Sequence, residues 1–426
     1  MKIAVIGLGY VGLPLLLKLS QLNFDVLGID INNEKIQKLQ KGILPFAKEE
    51  PFLLDYFKKE HKKGKISFAS DFKGLSVRDL IFVCVDTPIV GKLPNYQSLT
   101  SALKSIAPNL KIGSIVIIES TIAPKTSTNL VIPILEKHSK LKINRDFFVA
   151  AVPERIRPNH IFEQLTTLPR VIGVSDKKIS NVLKKIYSKI TSGKINITDL
   201  TTTETVKTVE NSFRDVNIAF ANEVAIACEE LGVNVWEVKD LVNKSPFHHM
   251  HEPGAGVGGH CIPKDPWLLA SAVKKHQLEL IETARKINDN MPYHVFTLIK
   301  KTFEEKNIKV KNANIAILGY SYVGNSDDTR NSPTEVLTKI LEEKKIKYKI
   351  YDPLVKEYSN KSLYDIAKDA DALVLMVGHD VFKNINYKKL YKIMRNKIIV
   401  DGRNFISANM VNKLGFVYKC IGNTSR

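Results

Sequence analysis

The chain has 426 residues, 44% hydrophobic and 25% charged, which provides for about two to four cores and excludes a disordered protein. Its net charge of +19 invites a nucleic-acid reading, yet the lysines fall in short clusters such as Lys58-Lys59, Lys62-Lys63 and Lys344-Lys345 with no nucleic-acid motif among them, so a basic surface that attracts small anions is expected and no nucleic acid. Apolar runs are strand-sized, far below the roughly 20 residues of a membrane span, and four cysteines without CxxC spacing argue against a disulfide framework or zinc site; with a strand starting directly after Met1, a cytoplasmic location and no membrane segment are expected.

Residues 1–30 read as strand, tight turn, helix, strand, with Gly7-Leu-Gly9-Tyr10-Val11-Gly12 in the turn and Asp30 ending the second strand. A lone G-x-G-x-x-G says little, but this one follows a strand, opens a helix and has its acid about 20 residues on, the arrangement of a dinucleotide site. Gly7 makes the turn, Gly9 admits the pyrophosphate, Gly12 lets helix and strand pack, and the helix N-terminus stabilises phosphate. Asp30 would bind ribose hydroxyls and repel a 2′-phosphate, so NAD is expected rather than NADP.

Apolar strands follow at 79–85, ending in Asp86-Thr87-Pro88, at 114–118, ending in Glu119-Ser120-Thr121, and at 147–152, ending in Pro153-Glu154-Arg155. Ligands lie beyond the carboxyl ends of strands in a doubly wound sheet, so Thr87, Thr121 and Glu154 are expected at one crevice. Residues 201–232 form a long helix, with Thr201 and Glu204 a candidate capping box and an apolar stripe at Val206, Val209, Phe213, Val216, Phe220, Val224 and Leu231 suited to packing between domains or subunits. Lys207, Asn211 and Arg214 share another face, which by itself reads as a solvated one.

In residues 253–269 four glycines, Gly254, Gly256, Gly258 and Gly259, precede His260-Cys261-Ile-Pro-Lys264-Asp265. So much backbone freedom suits close approach of a ligand, and the polar, partly cationic surroundings of Cys261 favour the reactive thiolate. Cys84 and Cys228 read as small buried apolar residues. His248, His249, His251 and His260 lack a helical pair or matching carboxylate spacing, and no metal is expected. A helical stretch at 266–303 leads to a second, smaller α/β unit with strands at 315–318, 348–351, 372–377 and 397–400. Its first turn, Gly319-Tyr-Ser-Tyr322-Val323-Gly324, lacks the full glycine fingerprint, so a second dinucleotide is not expected there.

Taken together, Gly7 to Gly12, Ser120-Thr121, Pro153-Glu154-Arg155, the helix bearing Lys207 and Asn211, Gly258-Gly-His-Cys-Ile-Pro-Lys-Asp265 and Asp327-Asp-Thr-Arg330 resemble the UDP-glucose/GDP-mannose dehydrogenase family over the whole chain. The resemblance implies two Rossmann-like doubly wound α/β domains joined by a long central helix: an NAD-binding domain at 1–200, a central helical domain with the cysteine loop at 201–305, and a UDP-sugar-binding domain at 306–426. It implies two NAD-dependent oxidations at the sugar C6, with Cys261 forming a thiohemiacetal and then a thioester. Lys207 and Asn211 would steady the oxyanion, and Asp265, Thr121 and Glu154 would position or activate water.

The same resemblance assigns Gly7, Gly9, Tyr10, Val11, Gly12, Asp30, Lys35, Thr87, Thr121 and Arg330 to NAD, and Arg155, Ile156, Lys207, Asn211, Arg214, Gly258 and Tyr322 to the UDP-sugar. It also implies a homodimer through the central helix. The segment 213–223 looks like the branch acting on UDP-N-acetylhexosamines, and the Cys261 stretch looks most like archaeal members acting on UDP-N-acetyl-D-mannosamine, which would become the mannosaminuronate. UDP-N-acetylglucosamine or UDP-glucose oxidation is the alternative, and a non-catalytic nucleotide-sugar binder a remoter one that retention of Cys261, Lys207, Asn211 and Asp265 argues against. Two departures remove cations that relatives carry near the substrate: Phe247 follows Pro246 where an arginine is usual, and Val323 stands where a lysine is usual.

Overall fold

The computed structural model describes residues 1–44, 51–155 and 161–423. They form two compact units, residues 1–210 with 267–277, and residues 211–266 with 278–426.

The first unit is built on an eight-stranded sheet. Its strands are β1 (Lys2–Ile6), β2 (Asp25–Ile29), β3 (Ile66–Ala69), β4 (Leu80–Val83), β7 (Ile115–Ile118), β8 (Phe148–Ala151), β9 (Arg170–Val174) and β10 (Ile195–Asp199), while β5 (Ile89–Val90) and β6 (Leu93–Pro94) make a separate hairpin. The spatial order is β10-β9-β8-β7-β4-β1-β2-β3, parallel except where β9 runs antiparallel to β8. From β3 to β8 this is the doubly wound dinucleotide-binding order, in which the chain reverses direction across the sheet between β1 and β4.

Because side chains alternate along a strand, Ile3 and Val5 of β1 pack into one apolar layer and Ala4 and Ile6 into the opposite one. Both faces are covered, as a parallel sheet requires. The expected strands at 79–85, 114–118 and 147–152 are each trimmed at their ends. β3, β9 and β10 were not legible, and β10 shows why: its residues are half-buried or exposed throughout, as an edge strand's can be.

The central helix, Leu200–Leu231, is capped differently from expectation. Asp199 accepts from the Thr202 amide at 2.9 Å and from the Thr202 hydroxyl at 2.5 Å, so it provides the cap in place of Thr201 and Glu204. Glu204 is instead fully buried and accepts from the Ser127 amide at 2.9 Å. On the outer side of this helix Val209, Phe213 and Phe220 are 45%, 67% and 56% exposed.

The expected helical stretch at 266–303 is two helices, Asp265–Ala272 and Glu279–Glu305. Lys274, Lys275, His276 and Gln277 between them are all exposed, so the pattern offers no apolar position to carry a helix through.

In the second unit β11 (Asn314–Leu318), β12 (Lys347–Tyr351), β13 (Ala372–Leu375), β14 (Ile398–Asp401) and β15 (Val417–Cys420) form a fully parallel sheet of order β12-β11-β13-β14-β15. This is the second common doubly wound order, with its switch point between β11 and β13. Asp352, just past β12, is fully buried and accepts from the amides of Tyr320, Ser321, Leu354 and Val355 and from His379 Nε2. Burial alone would raise this acid, but the donors from His379, Ser321 and Tyr320 outweigh it and hold Asp352 well below the ordinary carboxylate range.

Candidate active site

In the first unit the turn after β1 has the shape of a dinucleotide cradle. Gly7 has φ +87°, and a Cβ on Gly12 would lie 1.9 Å from the Gly7 carbonyl oxygen, so both positions exclude a side chain. A Cβ on Gly9 would meet nothing within 4 Å, which leaves its outer side open to a ligand. Tyr10 is 44% exposed and Val11 half-buried at the mouth of the helix Gly12–Gln21.

Asp30 accepts from the amides of Leu8 and Asn32, both at 2.9 Å, and from Lys35 Nζ at 2.7 Å. A carboxylate offers about four acceptor directions, so one remains for a ribose hydroxyl. These residues fit an adenine dinucleotide.

Thr87 is buried and donates its hydroxyl to the Thr121 carbonyl at 2.6 Å, tying the loop after β4 to the loop after β7. Ser120 makes a parallel tie, Oγ to the Val85 carbonyl at 2.5 Å. The Glu154 amide donates to the Glu119 carbonyl at 3.2 Å, which brings Glu154 to the same strand ends. Its carboxylate accepts from the Arg155 amide at 2.7 Å and from Arg170 Nη1 at 2.5 Å.

Arg155 is held away from a free posture: Nε and Nη2 fork onto Glu210 at 3.0 and 2.5 Å, and Nη1 donates to the Pro169 carbonyl at 2.8 Å. Ile156 lies outside the described residues. Lys207, 8% exposed, does not belong to a solvated face.

In the second unit Asn211 Nδ2 donates to Asp265 Oδ2 at 2.5 Å. Asp265 is fully buried, with Lys264 Nζ 3.4 Å from its other oxygen. Its amide donates to the Cys261 carbonyl at 2.9 Å, so acid and thiol share one tight turn. The Cys261 side chain is exposed, whereas Cys228 and Cys420 are buried.

Close packing against Tyr322 and Asn331 explains two of the glycines before Cys261. A Cβ on Gly258 would fall 2.6 Å from the Asn331 carbonyl oxygen and from Tyr322 Cβ, and one on Gly259, where φ is +84°, 2.7 Å from the Tyr322 ring. The Gly259 amide donates to the Arg330 carbonyl and its carbonyl accepts from Asn331, so residues 258–259 are seated on residues 330–331. Arg330 spends its guanidinium on Asp328, with Nη2 to Oδ2 at 2.6 Å. Burial, helped by Asp328 and a Cys261 thiolate nearby, pushes the Tyr322 phenol up to about 12.

A cavity of about 640 Å³ opens beyond the ends of β11, β13 and β14. Arg214, Lys239, Arg403, His249, His251 and Tyr322 are on its wall, and so is Val323. Of these, Arg214 and Tyr322 are expected from the sequence, Val323 stands there as a lost cation, and the histidines were weighed only as metal ligands and set aside. Lys239 and Arg403 were missed, although Arg403 follows a strand end, the place where ligand-binding residues of such sheets gather. Two asparagines fix the histidine loop by reciprocal bonds: Asn217 with the His249 carbonyl and the His251 amide, Asn243 with both backbone groups of Met250. Among the described residues no group of three or more His, Cys, Asp or Glu is placed to hold a metal ion, and no helix is long and apolar enough to cross a membrane.

A dinucleotide cradle in one unit and an exposed cysteine beside a buried acid in the other define an NAD-dependent dehydrogenase of the nucleotide-sugar class. The chain belongs to the UDP-glucose/GDP-mannose dehydrogenase family: residues 1–191 match its NAD binding domain, 201–290 its central domain and 316–408 its UDP binding domain. It is 40% identical to a UDP-N-acetyl-D-mannosamine dehydrogenase of Pyrococcus horikoshii over 99% of both chains, and 38% identical to one of Methanocaldococcus jannaschii over 99% of this chain and 96% of that one. Among solved structures, the Pyrococcus horikoshii UDP-D-ManNAc dehydrogenase superposes with a TM-score of 0.94 at 40% identity over 99% of both chains. The Staphylococcus aureus UDP-N-acetyl-mannosamine dehydrogenase gives 0.87 at 33% over 99% and 98%.

Proposed function

We propose that the chain oxidises UDP-N-acetyl-D-mannosamine at C6 to the mannosaminuronate in two NAD-dependent steps, through a thiohemiacetal and a thioester on Cys261. The observation that carries this reading is the turn in which Asp265, buried and held by Asn211, is bonded through its amide to the Cys261 carbonyl. NAD, when bound, accepts a hydride in each step.

The thiolate of Cys261 adds to the C6 aldehyde, and loss of hydride from the adduct leaves a thioester. Water then adds to the acyl carbon, the C–S bond breaks, and carboxylate and thiol are released. Lys207 and Asn211, one helical turn apart, steady the negative charge that develops on oxygen. Asp265, Thr121 and Glu154 position the water, and Glu154 takes its proton.

The cavity beyond β11, β13 and β14 takes the UDP part, with Arg214, Lys239 and Arg403 facing the diphosphate. Its volume is in the range of roughly 300–1,000 Å³ usual for small-molecule sites. The names of the relatives support the choice of sugar. The exposed Val209, Phe213 and Phe220 support a homodimer through the central helix.

A panel of UDP-sugars read by NADH absorbance tests the substrate: UDP-N-acetyl-D-mannosamine should give the highest kcat/KM, and UDP-glucose ranking first would refute the assignment. NADH stoichiometry with mass spectrometry of the products tests the chemistry. Wild type should yield two NADH and one acid per sugar, and Cys261→Ala none of the acid. A Cys261→Ala enzyme that made the uronate at near wild-type rate would leave the loop a binding element only.

A further inference from the structure

Behind Glu154 lies a group of buried polar side chains to which the reaction as described gives no part. Arg170, on β9, is 1% exposed, and it donates Nη1 to Glu154 Oε1 at 2.5 Å and Nη2 to the Leu165 carbonyl at 3.1 Å. Glu119, the residue before Ser120-Thr121, is 2% exposed and accepts from the hydroxyl of Tyr187, itself 1% exposed on the helix Ser180–Ile190. The Glu154 amide is bonded to the Glu119 carbonyl.

A buried guanidinium among groups of this kind is costly unless each is paired. An ordinary core position would be filled more stably by apolar side chains, so a buried arginine aimed at a carboxylate at the strand ends calls for a reason beyond packing.

We propose that Arg170 is a positioning residue for thioester hydrolysis: anchored by Nη2 on the Leu165 carbonyl, its Nη1 holds the Glu154 carboxylate in the orientation from which it takes a proton from water, and Glu119 and Tyr187 keep Arg170 committed to that partner. The inference rests on the role given to Glu154 above. In the step concerned, the water oxygen bonds to the acyl carbon, its proton passes to Glu154, and the C–S bond breaks with its electron pair left on the Cys261 sulfur.

Charge bookkeeping within the group agrees with this assignment. Burial, then the neighbouring Glu154, push Glu119 up to about 8, against the opposing influence of Arg170 and of the Tyr187 hydrogen bond. At neutral pH Glu119 is thus a carboxylic acid, and it does not compete with Glu154 for Arg170. The groups that face Glu119 are Arg170 from β9, Glu154 after β8, Tyr187 from its helix and Cys84 after β4. Burial raises both Tyr187 and Cys84 well above their usual ranges, so neither is an anion that competes. When Glu119 ionises in alkali it becomes a second claimant on Arg170.

The test is made on the full-length enzyme with NAD and the best UDP-sugar of the panel. Arg170→Met should lower kcat for acid formation by about 10²-fold or more at nearly unchanged KM for both substrates. Intact-protein mass spectrometry should show the acyl adduct accumulating on Cys261, which a merely structural role would not produce. Arg170→Lys, which keeps the charge but cannot bond Glu154 and the Leu165 carbonyl at once, should fall between Met and wild type.

Should Arg170→Met not fold, Glu119→Gln serves: the alkaline limb of the kcat profile, near pH 8 in wild type, should move to higher pH. A folded Arg170→Met enzyme with kcat within twofold of wild type and no adduct overturns the proposal, as does an unmoved alkaline limb in Glu119→Gln. Glu154→Gln separates the two levels of the argument. If it hydrolyses normally, the role of Glu154 fails and takes this inference with it; if it accumulates adduct while Arg170→Met does not, only the positioning role fails.

Discussion

Asn211 donates to Asp265 at 2.5 Å, and the amide of the same aspartate is bonded to the carbonyl of Cys261. The central helix is thereby tied to the turn that presents the thiol. Asp265→Asn keeps the size of the side chain and removes its charge, and kcat should fall about 10²–10⁴-fold with KM for the UDP-sugar changed little. Steady-state kinetics on the purified variant checks this, and an unchanged kcat would remove Asp265 from the chemistry.

Gly9 and Gly12 should respond in opposite ways to the same substitution. Gly12→Ala drives a Cβ onto the Gly7 carbonyl and should cost more than about 2 kcal/mol of folding stability. Gly9→Ala meets no protein atom, so its urea midpoint should stay near wild type while KM for NAD rises. A Gly9→Ala enzyme with normal KM would show that no pyrophosphate lies over that glycine.

Cofactor choice should rest on Asp30. Wild type should use NAD far better than NADP, and Asp30→Ala should narrow the gap by lowering kcat/KM for NAD about tenfold, the loss of a charged hydrogen bond. It also frees Lys35, whose ammonium is paired with Asp30 at 2.7 Å, to meet a 2′-phosphate. Comparable kcat/KM for the two cofactors in wild type would contradict the role of Asp30.

Glu119 should make stability depend on pH with a definite sign. Its pKa is raised from 4.5 to about 8 on folding, so between those values the native state binds more protons than the unfolded one. Stability from this group therefore falls as pH rises through that window and levels off above it. Glu119→Gln should match wild type near pH 4.5 and exceed it by a few kcal/mol at pH 9. Urea midpoints at pH 5, 7 and 9 measure the difference, and a constant offset across the three would disprove it.

Val323, where the family resemblance leads one to expect a lysine, lies on the cavity wall and is 40% exposed. Val323→Lys should lower KM for the UDP-sugar with little change in kcat, because the diphosphate is bound alike in ground and transition states. A large change in kcat at constant KM would place this position nearer the reacting carbon.

The turn at Gly7 to Gly12 was legible because its chemistry is local: the strand before, the helix after and the acid ending the next strand all lie within 30 residues. Arg170 was not, since its value comes from a contact with Glu154 across an antiparallel strand pair that no periodicity reveals. Asp199 escaped as a cap for a related reason: it ends an edge strand without a clear burial pattern. The long helix was visible from its apolar stripe, yet the buried face of Lys207 was not, because a lysine in a sequence reads as solvated until something is packed beside it. His249 and His251 were weighed only as metal ligands and set aside, so their place on a cavity wall, which depends on the fold, went unread.

Five donors converge on Asp352, three of them from the loop at Tyr320 and Ser321 and from His379 behind it. That loop therefore surrenders its conformational freedom when the chain folds, not when a nucleotide arrives. Association should then be spared the entropy cost of ordering that stretch of backbone. Affinity in the cavity and rigidity of the second unit are in this sense one quantity, and a substitution that loosens Asp352 should weaken nucleotide binding without touching a single ligand contact.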